Sequence, residues 1–275
     1  MKTWMITGCS SGIGKGIAKA VLEHGDRAVI TARSADRLAD LTAQYPDTTL
    51  AVALEVTNKN SIAQAVQAAK VRFGSIDVLV NNAGRGYTGA IEEGDPEAVQ
   101  ELFNTNFFGP VELIKAVLPD MRANRAGAIV NISSLGALTC GVGGGYYAAS
   151  KGALEKLSTA LRKEVEALGI KVMVVEPGPF RTQFRVAHVK GDNKSISDYA
   201  AVAKARDALK NDPYGQKGDP DKAGKLIAEL IEREDYPKTI LLGGGITDMG
   251  VRILEGEIEE ISKWKTFGDS ADFDE

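Results

Sequence analysis

Short apolar runs alternate along this chain with longer segments in which apolar residues recur with a helical period. The runs are apolar throughout rather than alternately apolar and polar, which is typical of strands buried on both faces of a parallel sheet. Strands separated by helices in this way predict an α/β fold built on a doubly wound parallel sheet with right-handed crossovers. The predicted strands are Thr3 to Thr7, Arg27 to Ala32, Leu50 to Leu54, Asp77 to Val80, Ala128 to Ile132, Lys171 to Val175 and Thr239 to Leu242.

The same pattern predicts the domain organisation and the helices. Neither a low-complexity linker nor an internal repeat divides residues 1–275, which predicts a single domain. Residues 180–218 are rich in polar and turn residues, so we expect a small helical flap over a site there, and the acidic end, 267–275, is expected to fray. The predicted helices are Ile13 to His24, Ala35 to Tyr45, 105–124 with a kink at Pro110, a long helix that begins near Tyr147, Tyr199 to Lys210, Pro220 to Arg233 and a last helix that ends near Trp264.

The amino-acid composition limits the classes of function that this chain can have. With 44% hydrophobic and 25% charged residues, the chain can form a substantial core. A formal net charge of -4 gives no basis for binding nucleic acid or an anionic membrane surface, and no apolar stretch approaches the roughly 20 residues of a membrane span. Two distant cysteines and two distant histidines suggest neither a disulfide framework nor a zinc site. These features predict a soluble, metal-free protein of the reducing cytoplasm.

A glycine-containing loop lies between the first predicted strand and the first predicted helix. Its sequence is TGCSSGIG, residues 7–14. A diphosphate requires close approach of the backbone, tolerance of unusual φ and ψ, and unpaired N–H groups at a helix N-terminus, and a loop of this kind supplies all three. The three residues between Gly8 and Gly12 differ from the commoner GxGxxG spacing, so the loop alone could also be a turn without a ligand.

Tyr147 and Lys151 lie one helical turn apart, so their side chains share a face of the predicted helix. A phenol with a pKa of about 10 transfers protons poorly at neutral pH. A neighbouring ammonium favours the phenolate and would lower that pKa. Ser134, at the end of the preceding strand, is placed to hydrogen-bond the same substrate oxygen. By itself, a tyrosine and a lysine at this spacing also occur on ordinary surface helices.

Together and in this order, these motifs resemble those of the short-chain dehydrogenase/reductase family in its one-domain form. The resemblance runs from Thr3 to about Thr182. It implies a Rossmann-like sheet, a nicotinamide dinucleotide cofactor and reversible hydride transfer to a carbonyl carbon. It is strengthened by two further motifs, NNAG at 81–84 and NTNFFG at 104–109.

The resemblance also implies roles for four catalytic residues. Tyr147 would exchange the proton of the substrate hydroxyl, and Ser134 would polarise and position the carbonyl oxygen. Lys151 would lower the tyrosine pKa and hold the nicotinamide ribose. Asn106 would hold a water that links the lysine to solvent.

The cofactor contacts implied by the resemblance come from several separate segments. After the third strand the family usually has an aspartate that contacts adenine, whereas this chain has Glu55, whose longer carboxylate would have to reach the same amino group. The segment around Pro177 would wrap the nicotinamide. The expected cofactor residues are Gly8, Ser10, Ser11, Gly12, Ile13, Gly14, Arg33, Ser34, Glu55, Val56, Asn82, Ala83, Gly84, Tyr147, Lys151, Pro177, Gly178 and Thr182.

Arg33 and Ser34 stand at the end of the second strand, where an acidic residue would accept hydrogen bonds from the ribose hydroxyls of NAD(H). A guanidinium there would instead form a charge-assisted fork with a 2′-phosphate. We therefore expect NADP(H) to be preferred, with NAD(H) still possible. Ser11 does not supply the second basic residue that some NADP(H)-binding relatives carry in the glycine loop.

The residues that follow Ser134 and Pro179 are mostly apolar and predict a pocket for a lipophilic ketone or secondary alcohol, although core packing explains several of them equally well. Cys140 has no histidine near it in sequence, so it is expected to act as a small hydrophobe and not as a nucleophile. The expected pocket residues are Leu135, Cys140, Val142, Phe180 and Phe184.

Three alternatives stay open on the sequence alone. An NAD-linked dehydrogenase could oxidise a hydroxysteroid, a retinoid or a similar alcohol. A nucleotide-sensing regulator could keep the glycine loop without catalysis, although it would have no use for Tyr147. A sugar-nucleotide epimerase of this fold would usually need a longer C-terminal substrate domain. By resemblance, we also expect a homodimer or homotetramer formed through the helices at 105–124 and 150–168.

Overall fold

Seven parallel strands form one sheet in the computed structural model, which describes residues 1–185, 195–211 and 215–273. The strands are β1 (Thr3–Ile6), β2 (Arg27–Ala32), β3 (Thr49–Ala53), β4 (Val78–Asn81), β5 (Gly127–Ile132), β6 (Ile170–Pro177) and β7 (Thr239–Leu242). Their spatial order is β3-β2-β1-β4-β5-β6-β7, so the direction of winding reverses between β1 and β4. This confirms the predicted doubly wound sheet, and the crevice at such a reversal is where folds of this kind bind ligands.

Helices cover both faces of the sheet. They are α1 (Gly12–Glu23), α2 (Ala39–Gln44), α3 (Lys59–Phe73), α4 (Pro96–Phe103), α5 (Gly109–Asn124), α6 (Leu135–Thr139), α7 (Gly145–Val165), α8 (Ala200–Asn211), α9 (Pro220–Glu232), α10 (Ile246–Lys263) and α11 (Lys265–Asp269). Residues Ala35–Leu38, predicted as α-helix, form a 3-10 turn instead.

The helix predicted over 105–124 begins later than expected. Asn104–Phe108 form a wide π-helical turn that joins α4 to α5. Pro110 lies in the first turn of α5, where the missing N–H removes no hydrogen bond from the helix interior. The irregularity expected at the proline therefore lies just before it, in the π-helical turn.

Strands β1 to β6 each contribute to two apolar cores, because successive side chains of a strand point to opposite faces. Trp4 and Ile6 pack on one face with residues of α1 and α9 such as Ile17. Met5 packs on the other face with residues of α3, α5 and α7 such as Leu113. The two cores fix the sheet between the helical layers and align the carboxyl ends of β1, β4, β5 and β6 along one edge.

The predicted flap is described in part. Phe180 pairs with Gly218 in an isolated parallel bridge, and α8 lies between them in the chain. Residues 186–194 and 212–214 of the predicted flap lie outside the described residues. At the chain end, residues 267–269 are helical, as part of α11, where fraying was expected. None of the helices in the described ranges is long and apolar enough to cross a membrane.

Candidate active site

A cavity of about 1250 Å³ opens at the carboxyl ends of the strands. Its wall is formed by loops that are far apart in the sequence, from the glycine loop after β1 to the end of the predicted flap. Three predicted site residues, Gly14, Asn106 and Cys140, do not line it. The predicted residues that do line it are Gly8, Ser10, Ser11, Gly12, Ile13, Arg33, Ser34, Glu55, Val56, Asn82, Ala83, Gly84, Ser134, Leu135, Val142, Tyr147, Lys151, Pro177, Gly178, Phe180, Thr182 and Phe184.

The glycine loop has the close packing expected of a dinucleotide cradle. Gly8 and Gly12 adopt φ values of 74° and 61°, a left-handed region that favours glycine. A Cβ at Gly14 would lie 2.3 Å from Asn82 Nδ2, so no larger residue fits behind the loop. Gly14 thus shapes the cradle from behind, and the start of α1 faces the cavity with backbone N–H groups suited to a diphosphate.

Asn82 and Thr7 hold the glycine loop against the loop after β4. The Asn82 side-chain amide donates to the carbonyl oxygens of Thr7, at 2.8 Å, and Gly8, at 3.2 Å. The Thr7 hydroxyl oxygen accepts from the backbone N–H groups of Asn82 and Ala83, both at 2.9 Å. These bonds give the NNAG segment a structural role in addition to its place in the cavity wall.

Three guanidinium groups line the cavity near the end of β2. Arg33 was predicted there, and Arg37 and Arg85 join it. Burial lowers the pKa of Arg85, and the nearby Arg33 charge lowers it further, so the two groups are close enough to interact. Arg85 also forms an ion pair with Glu101. Arg37 was not predicted, although its position four residues after Arg33 was a usable signal. Arg85, which directly follows the NNAG motif, was not predicted either.

Glu55 lies in the cavity wall, but one of its carboxylate oxygens has local partners. Oε1 accepts from the backbone N–H of Thr57 at 3.2 Å and from the Thr57 hydroxyl at 3.1 Å. A contact between Glu55 and adenine therefore stays a prediction.

Ser134 and Tyr147 lie side by side in the cavity wall and are hydrogen-bonded through their side chains. Ser134 caps α6, and its Oγ accepts from the Gly136 N–H at 3.0 Å. Gly136 lies between the two side chains, because a Cβ there would be 3.2 Å from Ser134 Oγ and 3.1 Å from Tyr147 Cε1. The Phe184 ring packs 5.8 Å from the Tyr147 ring, centroid to centroid. An apolar wall and a hydroxyl thus flank the phenol.

Lys151 is buried one turn along α7. Its Nζ donates to the carbonyl oxygen of Ile132 at 2.8 Å, which draws the ammonium toward the end of β5. A Cβ at Gly84 would lie 3.3 Å from Lys151 Nζ and 3.4 Å from Asn106 Oδ1, so both polar groups converge on this glycine.

Asn106 lies behind that glycine, in the π-helical turn, and is fully buried. Its Oδ1 accepts from the Arg85 N–H at 2.9 Å, and its Nδ2 donates to Arg85 O at 2.9 Å and to Ser150 Oγ at 3.0 Å. The wide turn directs this amide toward α7. Its described partners are protein groups, and the water that the resemblance implies stays a prediction.

The pKa of Tyr147 is shifted mainly by burial. Burial raises it to about 12, and a hydrogen bond with Ser134 only partly opposes the rise. Burial also lowers the pKa of Lys151 to about 8. Burial thus sets the direction of both shifts, and the lowering of the phenol pKa by the ammonium stays a prediction.

Two further carboxyl groups lie beside the end of β6. Glu155, one turn after Lys151, accepts a hydrogen bond of 2.5 Å from the Ser133 hydroxyl. Glu176 is buried next to it, and burial together with the Glu155 charge raises the pKa of Glu176 to about 7. Neither residue was predicted from the sequence.

The described part of the flap is tied to the cavity rim by Glu93. This side chain is 2% exposed, and it accepts from the Ile196 N–H at 2.7 Å, from the Ala90 N–H at 3.2 Å and from the Arg206 guanidinium at 3.0 Å. The Ile196 N–H is the main cause that lowers the pKa of Glu93. The bonds place α8 so that Ala205, Ala208 and Leu209 form an apolar wall of the cavity, which was not predicted from the sequence.

Cys140 is not a pocket residue, contrary to the prediction. It ends α6 with a left-handed φ of 44° and is exposed, with its thiol directed back to the carbonyl oxygen of Ala137 at 3.4 Å. The turn that it makes directs Val142, and not Cys140, into the cavity wall.

Comparison with known proteins agrees with this geometry. A family model described as short chain dehydrogenase matches residues 2–193. The chain belongs to this family. It is therefore an oxidoreductase with a nucleotide-binding fold.

Relatives of this short-chain dehydrogenase align over nearly its full length. An oxidoreductase of Botryotinia fuckeliana is 32% identical over 96% of this chain and 97% of its own. The 3-ketodihydrosphingosine reductase of Bacteroides thetaiotaomicron is 37% identical over 85% of this chain and 84% of its own. The crystal structure of a short-chain dehydrogenase from Streptomyces avermitilis is 39% identical, with a TM-score of 0.90 over 99% of both chains.

Proposed function

We propose that this chain catalyses reversible hydride transfer between NADP(H) and a lipophilic ketone or secondary alcohol. The observation that carries the proposal is one continuous cavity with two chemically different ends. Ser134, Tyr147 and Lys151 converge at one end, and Arg33 stands with two further guanidinium groups at the other. The glycine cradle lies between them, at the N-terminus of α1.

The residues of the cavity fit a nicotinamide dinucleotide. The glycine loop and the α1 N-terminus would hold the diphosphate, and the guanidinium groups of Arg33, Arg37 and Arg85 would hold the 2′-phosphate. Pro177 to Thr182 would enclose the nicotinamide end, where a Cβ at Gly12 would meet Thr182 Cγ2 at 3.0 Å. When bound, the dinucleotide supplies or accepts the hydride.

The chain's own residues manage the substrate proton. During ketone reduction, Tyr147 donates its hydroxyl proton to the carbonyl oxygen, and Ser134 holds that oxygen by a hydrogen bond. Lys151 places a positive charge behind the tyrosine and limits the cost of the phenolate that forms. A pKa of about 12 keeps the phenol protonated at neutral pH, which is the form that ketone reduction consumes.

The walls of the cavity favour an apolar substrate. Leu135, Val142, Phe184 and Leu209 line the end near Tyr147. Among the described residues few charged groups line that end, so a sugar or a phosphorylated substrate would find few partners among them. The name of the Bacteroides relative is that of a ketone reductase, which supports a carbonyl substrate.

Turnover measured over a panel of lipophilic ketones and secondary alcohols, with each nucleotide, tests the proposal. We expect NADPH to be oxidised with at least one lipophilic ketone and NADH to be used less well. An NAD-linked dehydrogenase would instead act on the alcohols with NAD and show no advantage for NADP. Binding of nucleotide in calorimetry without turnover on any compound would favour a nucleotide-sensing regulator and overturn the proposal.

A further inference from the structure

One face of α7 is joined to the end of β5 at three successive turns of the helix. Tyr147, Lys151 and Glu155 lie four residues apart along α7, so their side chains share a face. Each of them contacts one of three consecutive residues at the end of β5. The contacts are Tyr147 with Ser134, Lys151 with the carbonyl oxygen of Ile132, and Glu155 with the hydroxyl of Ser133. Glu155 is the residue of this face that the proposed reaction leaves without a role.

Ser133 is the middle residue of the three at the end of β5, and it is 4% exposed. Its backbone N–H donates to the carbonyl oxygen of Val175 at 2.7 Å, which ties it to β6. Its hydroxyl lies 2.5 Å from Glu155 Oε1 and 3.5 Å from the carbonyl oxygen of Lys151. A hydroxyl carries one proton, so the nearer carboxylate accepts it. Loss of the carboxylate would therefore loosen the backbone on either side, which carries the contacts to Lys151 and Tyr147.

The charge of Glu155 acts on both catalytic groups of α7. Burial lowers the pKa of Lys151, and the Glu155 carboxylate opposes that fall. Burial raises the pKa of Tyr147, and the same carboxylate adds to the rise. Both effects of the carboxylate favour the state from which ketone reduction starts, a charged lysine beside a protonated phenol.

The other ionisable groups around Glu155 leave the negative charge on it. Burial raises the pKa of Glu155 as well, but the Ser133 hydroxyl and the ammonium groups of Lys156 and Lys151 oppose that rise. Glu176, on β6, has its pKa raised to about 7 by burial and by the Glu155 charge. When the pair takes up a proton near neutral pH, Glu176 therefore receives it, and the charge beside Lys151 stays on Glu155.

We infer that Glu155 is a positioning residue for the proposed reaction, because it fixes the end of β5 through Ser133 and its charge balances the buried ammonium of Lys151. The inference rests on the proposed function. It assigns no contact with substrate or nucleotide, since Glu155 is not among the described residues that line the cavity. Two variants separate the charge from the hydrogen bond. Glu155→Gln removes the charge and keeps an acceptor for the Ser133 hydroxyl, whereas Ser133→Ala removes the hydrogen bond and keeps the charge.

NMR titration of the full chain with ¹³C-labelled lysine tests the charge without any turnover, with Lys151→Arg to identify the resonance. In Glu155→Gln the pKa of Lys151 should lie clearly below its wild-type value of about 8. The matched control is Glu164→Gln, which removes an exposed carboxylate from the same helix and should leave the Lys151 pKa unchanged. Circular dichroism verifies the fold of each variant. An unchanged Lys151 pKa in Glu155→Gln, or an equal fall in Glu164→Gln, would overturn the inference.

The pH dependence of kcat/KM for ketone reduction with NADPH tests the consequence for the reaction. Deprotonation of Lys151 removes the positive charge behind Tyr147, so wild-type kcat/KM should fall as the pH rises through about 8. In Glu155→Gln this fall should move to lower pH, with kcat/KM about tenfold below the wild type at about pH 8 and closer to it at about pH 6. Ser133→Ala should lower kcat at both pH values without moving the fall, and Glu164→Gln should match the wild type.

A Glu155→Gln variant with the wild-type pH profile, or a Ser133→Ala variant with wild-type kcat, would overturn the inference. A wild type that reduces no ketone would instead overturn the proposed function, and the lysine titration would still decide whether Glu155 balances the charge of Lys151.

Discussion

Replacing Arg33 by alanine should lower kcat/KM for NADPH by about tenfold and leave kcat/KM for NADH nearly unchanged. The difference rests on the 2′-phosphate, which NADPH alone carries. A tenfold change corresponds to roughly 1.4 kcal/mol of differential binding.

That magnitude follows from the surroundings of Arg33. Its side chain is exposed at the cavity rim, where a simple ion pair contributes about 0.2–1 kcal/mol. A charge-assisted hydrogen bond to a phosphate contributes more, about 1.5–3 kcal/mol. Arg37 and Arg85 remain in the variant and keep part of the attraction, and Arg85 is already paired with Glu101. A loss between these limits is therefore expected.

The assay is steady-state kcat/KM for both nucleotides with one good ketone, in the wild type, Arg33→Ala and a control, Arg122→Ala. Arg122 is an exposed arginine on α5 that does not line the cavity, so its removal should change neither nucleotide. Adding Ala32→Asp to the Arg33 variant should reverse the preference, because a carboxylate would accept from the ribose hydroxyls and repel the phosphate. A wild type without preference, or an Arg33 variant that loses both nucleotides equally, would refute the reasoning.

Three further predictions follow from the geometry. Gly14→Ala should weaken nucleotide binding by about tenfold or more in calorimetry, because the alanine Cβ would lie 2.3 Å from Asn82 Nδ2. The control is Gly256→Ala, where the new Cβ would point into open space on α10 and should leave binding unchanged. Equal effects of the two changes would contradict the role of the glycine loop in binding the diphosphate. Glu93→Gln should raise KM for the ketone and leave nucleotide affinity unchanged, because the variant loses the charge that pairs with Arg206 and holds α8. An unchanged KM would show that the Glu93–Arg206 ion pair does not position the cavity wall. Glu176→Gln should raise the melting temperature more at pH 8 than at pH 5. Folding raises the pKa of the Glu176 carboxyl to about 7, so its contribution to stability is fully present below the pKa of the unfolded state and is lost as the pH rises through 7. Glutamine does not titrate, so the variant should gain most where the wild type has lost that contribution. An equal shift in melting temperature at both pH values would refute this reasoning.

The fold could be predicted from the sequence because its signals are local and repeated. Apolar runs fixed the strands to within a residue or two, and the bounds of β2 and β7 agree with the prediction. The segments that meet at the cavity were predicted because each has its own motif, and parallel strands bring their carboxyl ends to the same edge.

The features of the site that were not predicted depend on contacts between residues that are distant in the sequence. Arg85 reaches the cavity only because the loop after β4 turns toward β2, and Glu93 is buried only because α8 packs on it. The burial that raises the pKa of Tyr147 was not predicted, because desolvation depends on what surrounds the hydroxyl in three dimensions. Cys140 was placed in the pocket because the left-handed turn at the end of α6 leaves no clear signal in the sequence.

The most direct test of the central claim is the turnover of Tyr147→Phe beside that of Tyr146→Phe. The neighbouring Tyr146 hydroxyl donates to the carbonyl oxygen of Ile91 at 2.8 Å and does not line the cavity, so the pair of variants removes one hydroxyl each from adjacent residues. With NADPH and the best ketone of the panel, Tyr147→Phe should lose about 10²–10⁴-fold in kcat/KM while still binding the nucleotide, and Tyr146→Phe should stay within a fewfold of the wild type. A Tyr147→Phe variant that keeps more than about a tenth of the wild-type kcat/KM would contradict the assignment of Tyr147 as the proton donor.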